Sequence, residues 1–318
     1  MKVIKPKFWD YKKPNIASIL LNPFTIPIRI NNFFNKIKKK DNKNKDIKTI
    51  CVGNIYIGGT GKTPSAIKIN EILRKLNYKT TFIKKFYAES LDEQLLLENN
   101  GNCILANPNR LKALNSAINN NYEVAIFDDG LQDVSIDYHI KFVCFNTANF
   151  IGNGLLIPAG PLREKINSLK NYDAVFLNGN NEDTTKIALT IKKQNKDIKI
   201  FESVYTLIDL DLLNKKNRYI AFAGIGIPDN FYKTLVNNNF QILKFLKYPD
   251  HYEYKDIDLK KINDLAKDLD AKIITTEKDF LRISRNQKFE FEVNIQFAKM
   301  QLKIKNEENL INFMKTKI

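Results

Sequence analysis

The chain has 318 residues, of which 43% are hydrophobic, and a formal net charge of +16. This length is sufficient for two domains with substantial cores, and the hydrophobic fraction excludes an intrinsically disordered chain. The charge is concentrated at one end, because residues 1–48 carry thirteen Lys and Arg against three Asp, so that ten of the sixteen net charges lie there. This asymmetry predicts that the first segment binds an anionic partner. It argues against a basic surface spread over the rest of the protein.

Three cysteines, Cys51, Cys103 and Cys144, lie far apart in apolar, strand-like runs. An odd number of cysteines suits no closed set of disulfides, and their spacing excludes a metal site of the C-x-x-C kind. They are predicted to be buried thiols of a protein in a reducing cytoplasm.

Residues 1–46 form a predicted N-terminal arm in which lysines flank apolar side chains. Asn22, Pro23, Pro27 and Arg29 interrupt the apolar run, whereas a membrane-spanning helix needs about 20 nearly uncharged apolar residues. No small-residue cleavage site of a signal peptide follows it. We therefore expect an amphipathic arm that lies in an anionic membrane interface, with its aromatic side chains inserted and its lysines on the headgroups. The alternative is a helix packed on the protein's own core, and the two hypotheses can hold for different faces of the arm.

A β-branched run over 47–52 leads into a glycine-rich turn and then into a segment of helical period that begins at Ser65. The turn, Gly58-Gly59-Thr60-Gly61-Lys62-Thr63, presents backbone N–H groups at a helix start, where nucleotide phosphates are commonly held. In such a loop Lys62 reaches the outer phosphates and the Thr63 hydroxyl ligates Mg²⁺. The strict pattern needs a glycine where this chain has Tyr56. The sequence predicts a variant phosphate loop, and a chance glycine turn is the alternative.

Strand and helix patterns alternate through residues 47–205, which we predict to be one domain. Helices are predicted over 65–76, 92–97, 110–118 and 184–193, and strands over 79–83, 102–105, 122–127, 140–145 and 173–177. This alternation predicts an α/β fold with a mostly parallel sheet and helices on both faces. The strand over 122–127 ends in Asp128-Asp129, and an aspartate in that position holds the metal ion or its water shell in phosphate-loop enzymes. Structural turn carboxylates are the alternative.

Residues 206–318 are predicted to form a smaller α/β domain with a C-terminal tail. The predicted strands cover 219–223, 241–246 and 271–275, and the predicted helices begin at Phe231 and cover 257–269. A short motif follows each strand: Gly224-Ile225-Gly226, Pro249-Asp250-His251 and Thr276-Glu277-Lys278-Asp279.

Taken together, these segments resemble the tetraacyldisaccharide 4'-kinase (lipid A 4'-kinase) family. Val52-Gly53-Asn54 and the turn up to Pro64 are similar to the variant phosphate loop of that family. The further motifs, in family order, are Asp128-Asp129-Gly130-Leu131-Gln132, Gly152-Asn153-Gly154, Pro158-Ala159-Gly160-Pro161-Leu162-Arg163-Glu164, Ala223-Gly224-Ile225-Gly226, Pro249-Asp250-His251 and Thr275-Thr276-Glu277-Lys278-Asp279. The opening Pro6-Lys7-Phe8-Trp9 also looks similar, so the resemblance covers nearly the whole chain.

The chain departs from the family pattern in two places. Lys84-Lys85-Phe86-Tyr87 and Leu91-Asp92-Glu93-Gln94 stand where the family usually has Arg-Gly-Tyr-Gly and Gly-Asp-Glu-Pro. Asp133 stands where histidine is common.

The resemblance implies a P-loop NTPase-like fold and a kinase that uses ATP and Mg²⁺ to phosphorylate the 4'-hydroxyl of a tetraacyldisaccharide 1-phosphate in lipid A biosynthesis. It implies Asp92 as the base that accepts the hydroxyl proton and His251 as its partner. The alternatives are a helix N-cap for Asp92 and a capped loop histidine for His251.

The remaining expected site residues are charged side chains of the motifs. Asp128 is expected to ligate Mg²⁺ with Thr63, with Glu93 as a further candidate ligand, while Asp129 orients a neighbour. Arg110 and Arg163 are expected to bind phosphates, because a planar guanidinium suits bidentate phosphate contact, and ordinary surface arginines are the alternative. Lys278 could lie at the nucleotide or support the site, and the sequence leaves this open.

A competing hypothesis is a phosphate-loop regulator or nucleic-acid-associated ATPase that uses the basic arm on RNA or DNA. The aromatic and isoleucine side chains between the lysines favour lipid, and no nucleic-acid-binding motif occurs in the sequence, so we expect no nucleic-acid partner. The expected partners are the lipid-linked disaccharide phosphate and an anionic membrane surface. The protein is expected to be peripheral on the cytoplasmic face of the inner membrane, and the sequence does not indicate its oligomeric state.

Overall fold

A computed structural model describes residues 5–37, 46–87, 91–106, 109–209, 213–285 and 290–318. Within them the strands are β1 Lys48–Gly53, β2 Thr80–Lys85, β3 Cys103–Ala106, β4 Val124–Asp128, β5 Ile140–Asn146, β6 Ala174–Gly179, β7 Lys199–Ile208, β8 Arg218–Ala223, β9 Gln241–Lys247, β10 Lys272–Thr276 and β11 Ile295–Ile304. The helices are α1 Ile16–Leu21, α2 Ile26–Ile37, α3 Lys62–Lys75, α4 Leu91–Glu98, α5 Arg110–Asn119, α6 Thr185–Gln194, α7 Pro228–Asn237, α8 Asp256–Asp268, α9 Glu277–Arg285 and α10 Glu307–Lys315.

The chain divides into two compact units. The first consists of Met1–Phe86, Asn100–Ser203 and Ile304–Ile318, and the second of Tyr87–Asn99 and Val204–Lys303. The domain boundaries predicted from the sequence, between 46 and 47 and between 205 and 206, remain predictions.

The first unit contains a parallel sheet in the order β3-β2-β4-β1-β5-β6, with β7 next to β6. Strand β1 lies between β4 and β5, with Val52 paired with Asp128 and Gly53 with Val143. Because the carboxyl ends of parallel strands share one edge of the sheet, this register brings the glycine-rich turn after β1 next to the aspartates that end β4. Ligand sites of open α/β sheets form at this edge.

Helices cover both faces of this sheet. Side chains alternate along a strand, so Cys51 of β1 joins a core cluster with Leu114 of α5 and Ile191 of α6, whereas α3 contacts β1, β2 and β4 from the other face. On the face of α3, the ring of Phe142 lies 5.9 Å from that of Phe313 in α10. The expected C-terminal tail contains helix α10. This segment forms a helix because its apolar residues recur at helical spacing, and they are buried. The predicted α/β class with a mostly parallel sheet is confirmed.

The second unit contains parallel strands in the order β11-β10-β8-β9. Strand β8 is covered on both sides: Tyr219 and Ala221 pack with residues of α7, and Ile220 and Phe222 with residues of α8. Helix α4 belongs to this unit and packs against α9. The contact brings Asp92, in the first turn of α4, to the helix that carries Lys278 and Arg282.

The N-terminal arm packs one of its faces on the rest of the first unit. Trp9 is 5% exposed, and its Nε1 donates a hydrogen bond to the carbonyl of Pro158 at 3.0 Å. Ser18 is fully buried and accepts from Asn153 Nδ2 at 2.9 Å. The core-packing alternative therefore holds for this face of the arm.

The opposite face of the arm is apolar and exposed. Its exposed large side chains are Ile16, Ile19, Leu20, Phe24, Ile26, Ile30, Phe33 and Phe34. Across the described ranges, no helix combines the length and the apolar character that crossing a bilayer requires. The lysines at 38–40, 43 and 45, which the sequence places against headgroups, lie outside the described residues.

Candidate active site

The glycine-rich turn connects the end of β1 to the start of α3. Gly58 and Gly61 have φ angles of 76° and 81°, a left-handed conformation in which a Cβ is unfavourable. Asn54 Nδ2 donates to Thr60 Oγ1 at 2.9 Å, and Asn178 Nδ2 donates to the Thr60 carbonyl at 2.8 Å. These contacts fix the turn in front of the N-terminus of α3, where N–H groups and the helix dipole favour an anion.

Helix α3 begins at Lys62 rather than at the predicted Ser65. The first turn contains Thr63 and Pro64, and proline is well tolerated there because its missing N–H would have no intrahelical partner. The apolar period that predicts the helix is not yet visible in this turn. The earlier start puts Lys62 and Thr63 on the helix itself.

Asp128 ends β4 directly beside the phosphate loop. It is 1% exposed, and its Oδ2 accepts from Thr63 Oγ1 at 2.9 Å and from Lys84 Nζ at 2.8 Å. Its Oδ1 is buried and has no hydrogen-bond partner among the described residues. A buried carboxylate oxygen without a partner is costly, and this one lies next to a hydroxyl that ligates Mg²⁺ in phosphate loops.

These two residues fit a magnesium ion of the kind that phosphate-loop enzymes use. Mg²⁺ keeps several waters and is bound by one or two carboxylates together with substrate phosphates. A dedicated protein site is therefore not required, and the described residues contain no group of three or more His, Cys, Asp or Glu side chains suited to a metal.

Asp129 lies between two cations. Its φ angle is 63°, Arg163 Nη1 donates to its Oδ1 at 3.0 Å, and Lys62 Nζ lies 3.6 Å from its Oδ2. Burial favours the protonated carboxyl, but the charges of Lys62 and Arg163 outweigh burial and lower the pKa of Asp129. One charged cluster beside the phosphate loop thus contains Lys62, Asp129 and Arg163.

Arg110 forms hydrogen bonds with the turn that contains Asp129. Its guanidinium donates to the Asp129 carbonyl and to Asp133 Oδ2 at 3.1 Å, and the residue is 9% exposed. Its described contacts therefore lie within the aspartate turn. The partner is Asp133, the residue that stands where the family commonly has histidine.

Three further residues of this site received no role from the sequence: Lys84, Gln132 and Glu164. Gln132 donates to the Asn54 carbonyl at 3.0 Å and to Glu164 Oε1 at 2.9 Å, and it accepts from Arg163 Nη1 at 3.2 Å. Gln132 and Glu164 are motif residues, so the motif was the available signal. Lys84 lies where the chain departs from the family motif, and its partner Asp128 belongs to a neighbouring strand, β4, that is distant in sequence.

The second unit contains the predicted pair Asp92 and His251. Asp92 is 2% exposed, with its Oδ1 3.6 Å from His251 Nδ1 and its Oδ2 accepting from Arg282 Nη2 at 2.6 Å. Burial alone raises the pKa of Asp92, but the adjacent His251 imidazole and the charges of Lys278 and Arg282 lower it well below its usual range. The adjacent Asp92 carboxylate raises the pKa of His251 against the effect of burial.

The geometry of Asp92 differs from that of a helix cap. Asp92 is the second residue of α4, and its described partners are Arg282 and His251 rather than a backbone amide of its own helix. His251 has a φ angle of 55° and its N–H donates to the Gly224 carbonyl at 3.1 Å. The loop conformation thus aims the imidazole at the carboxylate.

Glu93, predicted as a further metal ligand, forms an ion pair in the second unit. Lys278 Nζ donates to its Oε1 at 2.8 Å, and His251 Nε2 lies 3.9 Å from the same oxygen. Lys278 therefore contacts Glu93 beside the Asp92–His251 pair. Thr63 and Asp128, the other two predicted metal ligands, belong to the first unit.

Comparison with known proteins gives consistent matches along the whole chain. A sequence model of the family described as tetraacyldisaccharide-1-P 4'-kinase matches residues 17–318. A tetraacyldisaccharide 4'-kinase of Pelagibacter ubique is 51% identical over 313 residues, covering 98% of this chain and 97% of that protein. One from Rickettsia bellii is 33% identical over 300 residues, covering 89% and 90%.

A solved structure has the same fold. The crystal structure described as the "apo" form of LpxK from Aquifex aeolicus in complex with ATP superposes with a TM-score of 0.70 at 23% identity, covering 95% of this chain and 99% of that one. The family predicted from the motifs is confirmed by the sequence matches. The chain belongs to the tetraacyldisaccharide 4'-kinase family.

Proposed function

We propose that this protein transfers the γ-phosphoryl group of ATP to the 4'-hydroxyl of a tetraacyldisaccharide 1-phosphate, a step of lipid A biosynthesis. The observation that carries the proposal is the Thr63–Asp128 pair beside a phosphate loop, with one buried carboxylate oxygen left for a metal-bound water. Membership of the family supports the acceptor.

The first unit supplies the groups that bind the nucleotide. The backbone N–H groups of residues 58–63 hold the phosphates, and Lys62 neutralises the outer ones. Thr63 and Asp128 would hold Mg²⁺, which would offset the charge of the phosphates. Arg163 shares its guanidinium between Asp129 and the transferred group, because its contact with Asp129 leaves it partly exposed. Arg110 acts on catalysis through the Asp129 turn that it holds.

The proposed base is Asp92. The 4'-oxygen forms a bond to the γ-phosphorus, the bond from that phosphorus to the bridging oxygen of ADP breaks, and the hydroxyl proton passes to Asp92. Because the transition state of phosphoryl transfer is loose, the proton leaves late and a carboxylate of low pKa is sufficient. His251 Nδ1 lies 3.6 Å from the same carboxylate, and the imidazole adjusts the basicity of Asp92.

The arm brings the protein to its lipid substrate. Its exposed face has eight large apolar side chains, and the described part of the arm also carries Lys12, Lys13 and Arg29. This combination supports binding to an anionic membrane interface. We place the protein as a peripheral protein on the cytoplasmic face of the inner membrane, where an acylated disaccharide phosphate is available.

The test is phosphorylation of tetraacyldisaccharide 1-phosphate by the purified chain with ATP and Mg²⁺. Product should form with the wild type and with Lys75→Ala, an exposed lysine on the same helix as Lys62. Lys62→Ala should lose turnover, because the phosphates would lose their mobile positive charge. Near-normal turnover of Lys62→Ala would exclude the phosphate loop from the mechanism. ATP hydrolysis that responds to duplex DNA, without lipid product, would support the regulator hypothesis instead.

A further inference from the structure

A buried arginine of α9, Arg282, lies at the centre of the second unit's charged cluster. It is 7% exposed and donates to Asp92 Oδ2 at 2.6 Å and to Asp279 Oδ1 at 2.8 Å. Its Nη1 also donates to the carbonyls of Gly224 and Tyr252, each at 3.2 Å. The four acceptors come from four separate segments of the chain, so the guanidinium joins them.

Asp279 contacts one terminal nitrogen of the guanidinium, Nη1, and Asp92 contacts the other, Nη2. Asp279 Oδ2 accepts from the Gly224 N–H at 3.0 Å and from Thr276 Oγ1 at 2.6 Å. Its Oδ1 accepts from Tyr254 at 3.0 Å as well as from Arg282. Asp279 is fully buried, and the direction of Arg282 is therefore set by a saturated hydrogen-bond network.

The two oxygens of Asp92 have different surroundings as a result. Oδ2 is held by Arg282, and Oδ1 faces His251 Nδ1. The Gly224 carbonyl accepts both from Arg282 and from the backbone N–H of His251. One guanidinium thus orients the carboxylate directly and shares an anchor with the histidine.

We propose that Arg282 is the positioning residue of this site: it holds Asp92 Oδ2 so that Oδ1 is presented beside His251. The proposal rests on the proposed role of Asp92 as the base. It also gives a common purpose to the Gly224, His251 and Asp279 motifs, whose backbone and side chains surround the guanidinium. A planar donor fork fixes direction in a way that a lysine ammonium does not, and a buried ion pair is by itself weak evidence for a stabilising role.

The experiment compares Arg282→Ala, Arg282→Lys and the matched control Arg285→Ala, an exposed arginine of the same helix. Arg282→Ala should lower kcat by about 10²-fold, the loss expected from a misplaced catalytic group, while KM for ATP stays near that of the wild type. Arg282→Lys should recover little of the loss, and Arg285→Ala should be unaffected. Guanidinium chloride at a concentration that does not denature the protein should restore kcat in Arg282→Ala and leave Asp92→Ala inactive.

Each outcome separates the inference from the proposed function. If Asp92→Ala is inactive while folded Arg282→Ala or Arg282→Lys keeps the wild-type kcat, the positioning role is wrong and the base stands. If Asp92→Ala keeps its activity, the role of Asp92 is wrong whatever Arg282 does. Should Arg282→Ala fail to fold, Arg282→Lys and Asp279→Asn carry the test, because both keep a polar group in the network. Loss of kcat in both supports the proposal, and full activity in either overturns it.

Discussion

Asp92 and Asp129 are carboxylates that burial would protonate and that neighbouring cations keep ionised. For Asp129 the cations are Lys62 and Arg163. For Asp92 the adjacent His251 imidazole acts together with the charges of Lys278 and Arg282. In both cases the net shift of the pKa is downward, so each residue carries its charge at neutral pH. An ionised carboxylate can accept a proton, which is the proposed task of Asp92. It can also hold cations, as Asp129 does with Lys62 and Arg163.

At the residue scale, Asp92 and His251 should behave as one functional group. Asp92→Ala and His251→Ala should each lower turnover by about 10²–10⁴-fold, the usual contribution of positioned acid–base groups. The double variant should be little worse than Asp92→Ala, because groups that act together are non-additive. ATP affinity should change little in all three. Steady-state kinetics and ATP titration test this, and multiplicative losses would contradict it.

The ion pair of Asp133 with Arg110 predicts a pH-dependent stability. Burial raises the pKa of Asp133, but the Ser135 hydrogen bonds and Arg110 lower it overall. A lowered folded-state pKa contributes stability that is present above the unfolded-state pKa of about 3.9 and is lost as the pH falls through the folded value. Asp133→Asn should therefore cost about 1–3 kcal/mol at pH 7 and less at pH 3, where the unfolded-state carboxyl is mostly protonated. Urea unfolding at the two pH values measures this, and parallel stability losses would contradict it.

At the scale of elements, the arm packs against the motif over 152–164. Gly152 has a φ angle of 55°, and a Cβ there would collide with the backbone carbonyl of Trp9. Asn153 donates to Ser18 of α1, and Asn32 of α2 donates to the Arg163 carbonyl at 2.9 Å. The arm and a proposed phosphate-binding arginine are thus attached to the same short segment.

Gly152→Ala should detach the arm, and Gly154→Ala is its matched control. Both glycines have positive φ angles, so each substitution costs about 1–2 kcal/mol of backbone strain. Only Gly152→Ala adds a collision with backbone, since the nearest atom to a Cβ at Gly154 is Ile151 Cδ1 at 3.8 Å. Trp9 is the single tryptophan of the chain, so its fluorescence reports docking of the arm. A shift to longer emission wavelength is expected for Gly152→Ala alone, and equal spectra would contradict the prediction.

At the scale of the whole molecule, charge and exposed apolar surface are concentrated in one segment. Ten of the sixteen net positive charges belong to residues 1–48, and the arm exposes a row of isoleucine and phenylalanine side chains. Apolar insertion is little affected by salt, whereas attraction of lysines to anionic lipid is screened. Binding to vesicles should therefore weaken with salt and still depend on the apolar face.

Phe33→Ser should reduce binding to anionic vesicles by at least about tenfold, because burial of a phenylalanine contributes about 1.5–3 kcal/mol. Leu189→Ser is the control, since Leu189 is 59% exposed on α6 and Phe33 is 60% exposed. Sedimentation with vesicles measures both variants. Equal binding of Phe33→Ser and wild type would contradict insertion of the arm, and stronger binding to duplex DNA than to vesicles would favour the nucleic-acid hypothesis.

Several parts of the site could be predicted from the sequence because their chemistry is local. The phosphate loop, Lys62 and Thr63 lie within a few residues between a strand and a helix. Asp128 and Asp129 directly follow an apolar strand, and the alternation of strands and helices is sufficient for a mostly parallel sheet. Each of these patterns depends on neighbours in the chain, so no tertiary contact is needed to recognise it.

The tertiary structure decided which distant residues meet. Strand order puts β4 between β1 and β2, and only this order brings Lys84 to Asp128. Arg110 holds the Asp129 turn, although its residue type alone had indicated a phosphate ligand. Arg282 and Asp92 are 190 positions apart in the chain, and helix packing joins them. The sequence by itself determined the family and the phosphate loop, whereas the partners of each charged group depend on a sheet order and helix contacts that no local pattern encodes.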